Sequence, residues 1–112
     1  MLYSSISEIH LTMEDVMTKR RLRTLLSRGT VGVAFTKVDG SERFMRCTKS
    51  PLLIPKKMRP KHEVPTPVDI IRVFDEESNG WRSFHFSSVK RVFSQTRNGG
   101  LLVEEPGKKL MV

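Results

Sequence analysis

Apolar and polar positions alternate most clearly between Val31 and Cys47, in VGVAFTKVDGSERFMRC. Val31, Val33 and Phe35 alternate with Gly32, Ala34 and Thr36, the period-two pattern of a strand with one buried face. On the return, Arg43, Met45 and Cys47 alternate with Phe44, Arg46 and Thr48. Asp39-Gly40 between the two runs predicts a hairpin turn, because glycine takes a positive φ without a Cβ clash. Two registers compete. A two-residue turn sets Phe35 opposite Phe44 and Val33 opposite Arg46. A three-residue loop, Val38-Asp39-Gly40 with Gly40 in a bulge, sets Val33 opposite Met45 and Val31 opposite Cys47. The bulged register is expected: it gathers Val31, Val33, Phe35, Met45 and Cys47 on one apolar face, and a one-residue slip would bury Arg46.

Before the hairpin, residues 1–12 are weakly patterned and read as an arm. Thr12 reads as an N-cap for a helix over Met13 to Ser27, with Gly29 as its stop. The apolar positions of that helix split into two faces. Leu22, Leu25 and Leu26 should cover the open end of the sheet. Met13, Val16 and Met17, with Arg20 beside them, then form a candidate surface for a second chain; the alternative is that they pack on the C-terminal tail. After the hairpin come Leu52, Leu53 and Ile54, expected to anchor a long loop. Four prolines between Pro55 and Pro67 forbid a helix or a central strand there. Ile70 to Asp75 reads as a third strand with Ile71 and Val73 on one face. An acidic turn follows, where Asn79 or Gly80 can take the left-handed conformation. Trp81 to Phe86 reads as a fourth strand whose core set is Phe84 and Phe86, and Val89 to Phe93 as a fifth after a tight break at Ser87-Ser88. Residues 95–112 read as a tail with at most a short ordered segment at Leu101 to Val103. One helix and five short strands, over residues 13–94, describe a mainly β protein with an N-terminal helix: a small five-stranded SH3-like barrel, whose closure removes exposed edges.

Length and charge narrow the function. The 112 residues allow one domain at most. No apolar run is long enough for a transmembrane helix, and the N-terminus lacks the pattern of a signal peptide. The single cysteine, Cys47, cannot form an internal disulfide, so an intracellular address is the default; on a buried strand it is a small apolar residue rather than a reactive thiol. A net charge of +8 favours polyanionic partners.

Three segments carry a family likeness: FTKVDGSERFMRCT at Phe35 to Thr48, the pair Ile54-Pro55, and VFDEESNGWRSFHFSSVKRV at Val73 to Val92. Together they resemble the small WYL-like proteins with an Sm-like SH3 barrel found in T4-type tailed phages. WRSFHFSSV also resembles the end of the WYL domain of bacterial regulators, where an Arg-x-Phe pair closes the barrel. The likeness spans the central two thirds of the chain and carries no catalytic residues. It implies a barrel and, through WYL domains proper, ligand sensing or nucleic-acid binding. This chain shows no helix-turn-helix, so the sensor role does not carry over. The likeness also implies a setting in the cytoplasm of a bacterial host.

The strongest functional candidate is the basic run. Arg43, Arg46, Lys49, Lys56, Lys57, Arg59 and Lys61 fall within nineteen residues that contain no acid. A cationic loop beside a barrel suits a phosphate backbone of DNA or RNA, and Phe44 could stack on a base. The simpler readings are a solvated edge for the cations and a gap-filling role under the loop for Phe44. Arg82 is expected to pair with Asp75 or a backbone carbonyl, with ligand recognition as the sharper alternative. His10, His62 and His85 are isolated, so no metal site is expected. No nucleotide-binding glycine motif or nucleophile–base set is present, so neither a cofactor nor catalysis is expected. Two functions from different classes stand: a nucleic-acid-binding module, and a protein-interaction factor that binds a host protein or itself.

Overall fold

The computed structural model of the chain describes residues 17–106. One helix, α1 (Lys19–Arg28), precedes six strands: β1 (Val31–Thr36), β2 (Glu42–Thr48), β3 (Ile70–Asp75), β4 (Gly80–His85), β5 (Val89–Gln95) and β6 (Leu101–Glu104). They form one antiparallel sheet in the order β4-β3-β2-β1-β5-β6. The hairpin adopts the bulged register: Val31 faces Cys47 and Val33 faces Met45. Lys37 N–H donates to the Ser41 carbonyl at 2.7 Å, and Gly40 sits at a φ of +90°. Asn79 takes the left-handed conformation at the acidic turn, with a φ of +58°.

The sheet is rolled. β4 and β5 lie four strands apart in the order, about 19 Å in a flat sheet at ~4.8 Å per strand. Only a three-residue 3-10 turn, Phe86–Ser88, joins them, and the backbone from His85 to Val89 reaches about 14 Å at most. The Phe35 and Phe84 rings, on β1 and β4, stack across the interior with centroids 5.3 Å apart. Met45, Cys47, Ile71, Val73 and Val92 fill the same core, each at most 2% exposed. Phe86 lies in the 3-10 turn, half-buried against that core, and not on β4.

Three expectations are corrected. The helix does not extend back through Met17: Thr18 is extended and is itself the N-cap, its hydroxyl accepting from Arg21 N–H at 3.1 Å. Met17, just before the cap, belongs with Leu22 to the core, as a hydrophobic residue before a cap and one in the first turn commonly do. Met17 also pairs with Pro106 beyond β6, so it meets the C-terminal segment and is not exposed to a second chain. The arm at 1–12, the cap at Thr12, and Met13 and Val16 lie outside the described residues. Next, the stretch from Gln95 onward is not simply a tail: Leu101–Glu104 adds a sixth strand to β5. Finally, of the three loop anchors only Ile54 is buried, while Leu52 and Leu53 face solvent.

Candidate functional site

The long loop between β2 and β3 covers the outer face of β3–β4. Side chains opposite one another across two strands share a face, so Phe74 and Trp81, and Arg72 with Ser83, point away from the barrel core. Phe74 is nevertheless 1% exposed, its ring edge-on to Trp81 at 5.7 Å. The loop is fastened over this pair. Trp81 Nε1 donates to the Met58 carbonyl at 2.9 Å, and Arg59 Nε donates to the Ile54 carbonyl at 2.9 Å.

Helix α1 forms the opposite wall. Its last carbonyls, unsatisfied within any helix, are met by the end of β2. Thr48 Oγ1 donates toward the Leu26 and Gly29 carbonyls, at 3.2 and 2.9 Å, and Lys49 N–H donates to the Leu26 carbonyl at 2.9 Å. This junction sets Lys49 beside the helix. Between loop, helix and sheet lies a cleft of about 590 Å³, within the usual size of a ligand site. Arg23, Lys49, Arg59 and Arg72 line it with one carboxylate, Glu63; Ile54, Val64 and prolines supply apolar wall. Two guanidinium groups are held in place: Arg59 through Ile54, and Arg72 over the Trp81 ring at 4.8 Å from its centroid. Among the described residues none of the four cations is in an ion pair. Burial pulls the Lys49 ammonium below the ordinary lysine value; Arg23 and Arg72 push the same way, and Glu63 opposes them. Such a set of like charges is relieved by an anion.

The structure divides the expected site residues. Lys49 and Arg59 line the cleft. Lys56 and Lys57 lie on a 3-10 turn of the covering loop, exposed like Lys61. Arg46 is exposed on the outer hairpin face. Phe44, on the same face, is half-exposed; it packs edge-on against Phe93 at 5.6 Å and lies so close over Gly32 that a Cβ there would come within 2.7 Å of the ring. Arg43 is a correction. It faces Phe35 across β1–β2, on the core side, and its Nη2 binds the buried Asp75 at 3.2 Å. It takes one of the two partners expected for Arg82; Arg82 meets the other, a backbone carbonyl, donating to Trp81 O at 3.4 Å. Arg20 is exposed on α1.

Arg23, Arg72 and Trp81 were not singled out for the site. The parity of β3 was a usable signal, because it places Arg72 opposite in direction to Ile71 and Val73. Cys47 is fully buried, and its thiol is pushed up to about 12 by burial and then by Asp75 and Glu76, which leaves it inert as a nucleophile.

A short helix closing one end of a rolled antiparallel sheet, with cations gathered under a loop on its outer face, defines a small barrel of the Sm and SH3 kind. The chain belongs to the WYL_2 family, Sm-like SH3 beta-barrel fold, whose model matches residues 19–89. It is also similar to an Enterobacteria phage T4 protein described as an uncharacterized 11.5 kDa protein of the Gp31-cd intergenic region. The two are 36% identical over 84 residues, which span 72% of this chain and 82% of that relative. It is therefore a small WYL-like protein of phage type. No solved structure gives a significant match. Among the described residues no helix is long and apolar enough to cross a membrane.

Proposed function

We propose that this protein is a non-catalytic nucleic-acid-binding module acting in the cytoplasm of an infected bacterium. The convergence of Arg23, Lys49, Arg59 and Arg72 on one cleft supports the reading most directly. Lys56, Lys57 and Lys61 on the covering loop extend the charge beyond it. Two positioned guanidinium groups suit phosphate oxygens, and the flexible ammonium groups of the loop suit a backbone that passes over them. The rival reading is docking to a host protein, or self-association, through Met13, Val16, Met17 and Arg20. It is weakened at Met17, which is 1% exposed and joined to the C-terminal segment.

The test is affinity for a fluorescent oligonucleotide, single-stranded DNA and RNA in parallel, across a salt series. The logarithm of affinity should fall linearly with the logarithm of salt, by about 0.7–0.9 for each phosphate neutralised. Reversing Arg23, Lys49, Arg59 and Arg72 to glutamate should remove most of the binding. Binding that is independent of salt, or unchanged in that variant, overturns the reading.

A further inference from the structure

The open end of the roll beside the β1–β2 turn holds a second cavity, of about 480 Å³, which the nucleic-acid reading does not use. Its floor is the end of the barrel core: Phe35, Met45 and Phe84, each at most 7% exposed. Two arginines line it from core-facing positions. Arg43 stands opposite Phe35, and Arg82 opposite Val73. Arg43 is committed to Asp75. Arg82 is exposed, and among the described residues it has one long hydrogen bond, 3.4 Å to its neighbour's carbonyl, and no ion pair. An inward charge on an edge strand such as β4 can serve simply to discourage pairing with another sheet. That role requires no apolar cavity beneath the charge.

We propose that this mouth binds a single carboxylate joined to a short apolar group. The apolar part rests on Phe35, Met45 and Phe84, and the carboxylate takes the fork of Arg82. A phosphate fits less well. Only one guanidinium is uncommitted, so a second negative charge finds no second fork; Lys37 and Asp39 on the rim are opposite in sign and offset one another. The same chemistry could come from a free acid or from the apolar C-terminus of a peptide, and the test separates them.

The probes are octanoate, octanol, and an acetylated Gly-Gly-Leu-Leu peptide with either a free or an amidated C-terminus. Each is titrated into the isotope-labelled full chain while backbone amide shifts are followed. Binding of octanoate or of the free-acid peptide, with shifts centred on Thr36, Lys37 and Phe84, is the expected result; whichever of the two binds names the source. Octanol and the amidated peptide should bind about tenfold more weakly or worse, the loss of a charge-assisted hydrogen-bond pair. Arg82→Gln should reproduce that loss. It removes an exposed side chain in no ion pair, so unchanged amide shifts elsewhere will confirm its fold. No shift at millimolar probe, equal binding of octanol and octanoate, or an unaffected Arg82→Gln overturns the proposal. None of these results bears on the cleft, whose ligand reading is tested separately.

Discussion

Arg21 and Arg72 are both half-buried arginines on the flank of the barrel, and the fold treats them oppositely. Arg21 lays Nε and Nη2 on the two carboxylate oxygens of Glu104, at 2.8 and 2.9 Å, and that carboxylate is 2% exposed. Arg72 rests on Trp81 and faces a cleft in which three other cations share one carboxylate. The first arrangement is a joint: it ties α1 to β6. The second holds positive charge together with little inside the protein to answer it. A cation is therefore no guide to function by itself. What separates the two regions is whether the fold brings a buried carboxylate to it.

The largest effect should come from breaking the joint. Glu104→Ala leaves the Arg21 guanidinium without its bidentate partner. Removing one member of a buried pair costs roughly 3–5 kcal/mol, and the partial exposure of Arg21 places this case at the low end or somewhat below, about 2–3 kcal/mol. Urea unfolding of the two proteins measures the difference. A loss under about 0.5 kcal/mol, the range of ordinary surface changes, would mean that the joint is ornamental and would erase the contrast with Arg72.

Neither partner of this joint stood out in the sequence, and the reason is physical. Leu101–Glu104 is a four-residue strand after two glycines, too short to show a period, and its pairing with β5 is decided by the rest of the sheet. The hairpin is the opposite case: its alternation, its Asp-Gly turn and the cost of burying Arg46 all favour one register, and that register is the one observed. The helix was legible in its second half only. Thr12 and Thr18 are both competent caps, and the described helix starts from the second, with Leu22 and Leu26 as its buried face. The cleft was half legible. Lys49 and Arg59 belong to the basic run, but Arg23 and Arg72 reach the site only because a nineteen-residue loop, Pro51 to Asp69, folds back over the sheet. Local pattern does not encode such a return.

A second joint lies inside the barrel and should respond to acid. Burial works to raise the Asp75 carboxyl, but the N–H groups of Ser78 and Glu77 and the Arg43 guanidinium outweigh it and hold it below the ordinary carboxylate value. A carboxyl depressed in the folded state contributes its stability above its unfolded value, near pH 4, and loses it as pH falls through the lower folded value. Asp75→Asn keeps an oxygen for the two N–H groups but puts a donor amide where Oδ2 accepted from Arg43, so it gives up the charge and the hydrogen bond to a partly exposed arginine. It should cost about 1 kcal/mol at pH 7. The gap between wild type and variant should close below about pH 4. Thermal unfolding of both proteins from pH 7 to pH 3 measures it, and a gap that stays constant would show that the carboxylate charge is not what holds Arg43.

The smallest effect should come from the cleft, and its sign is the informative part. Lys49→Met keeps the length of the side chain and removes a half-buried ammonium that Arg23 and Arg72 oppose. Replacing a strained buried charge by an apolar group is often neutral or stabilising, so low-salt stability should stay level or rise by about 0.5 kcal/mol. Phosphate at tens of millimolar should then stabilise the wild type more than the variant, because an anion that binds only the folded cleft adds stability in proportion to its occupancy. Chloride at equal ionic strength serves as the control for simple screening. If Lys49→Met instead destabilised the protein as Glu104→Ala is expected to, Lys49 would belong with the joints. The cleft would then have lost the feature that distinguishes it from them, a cation held where the folded chain alone gains nothing from it.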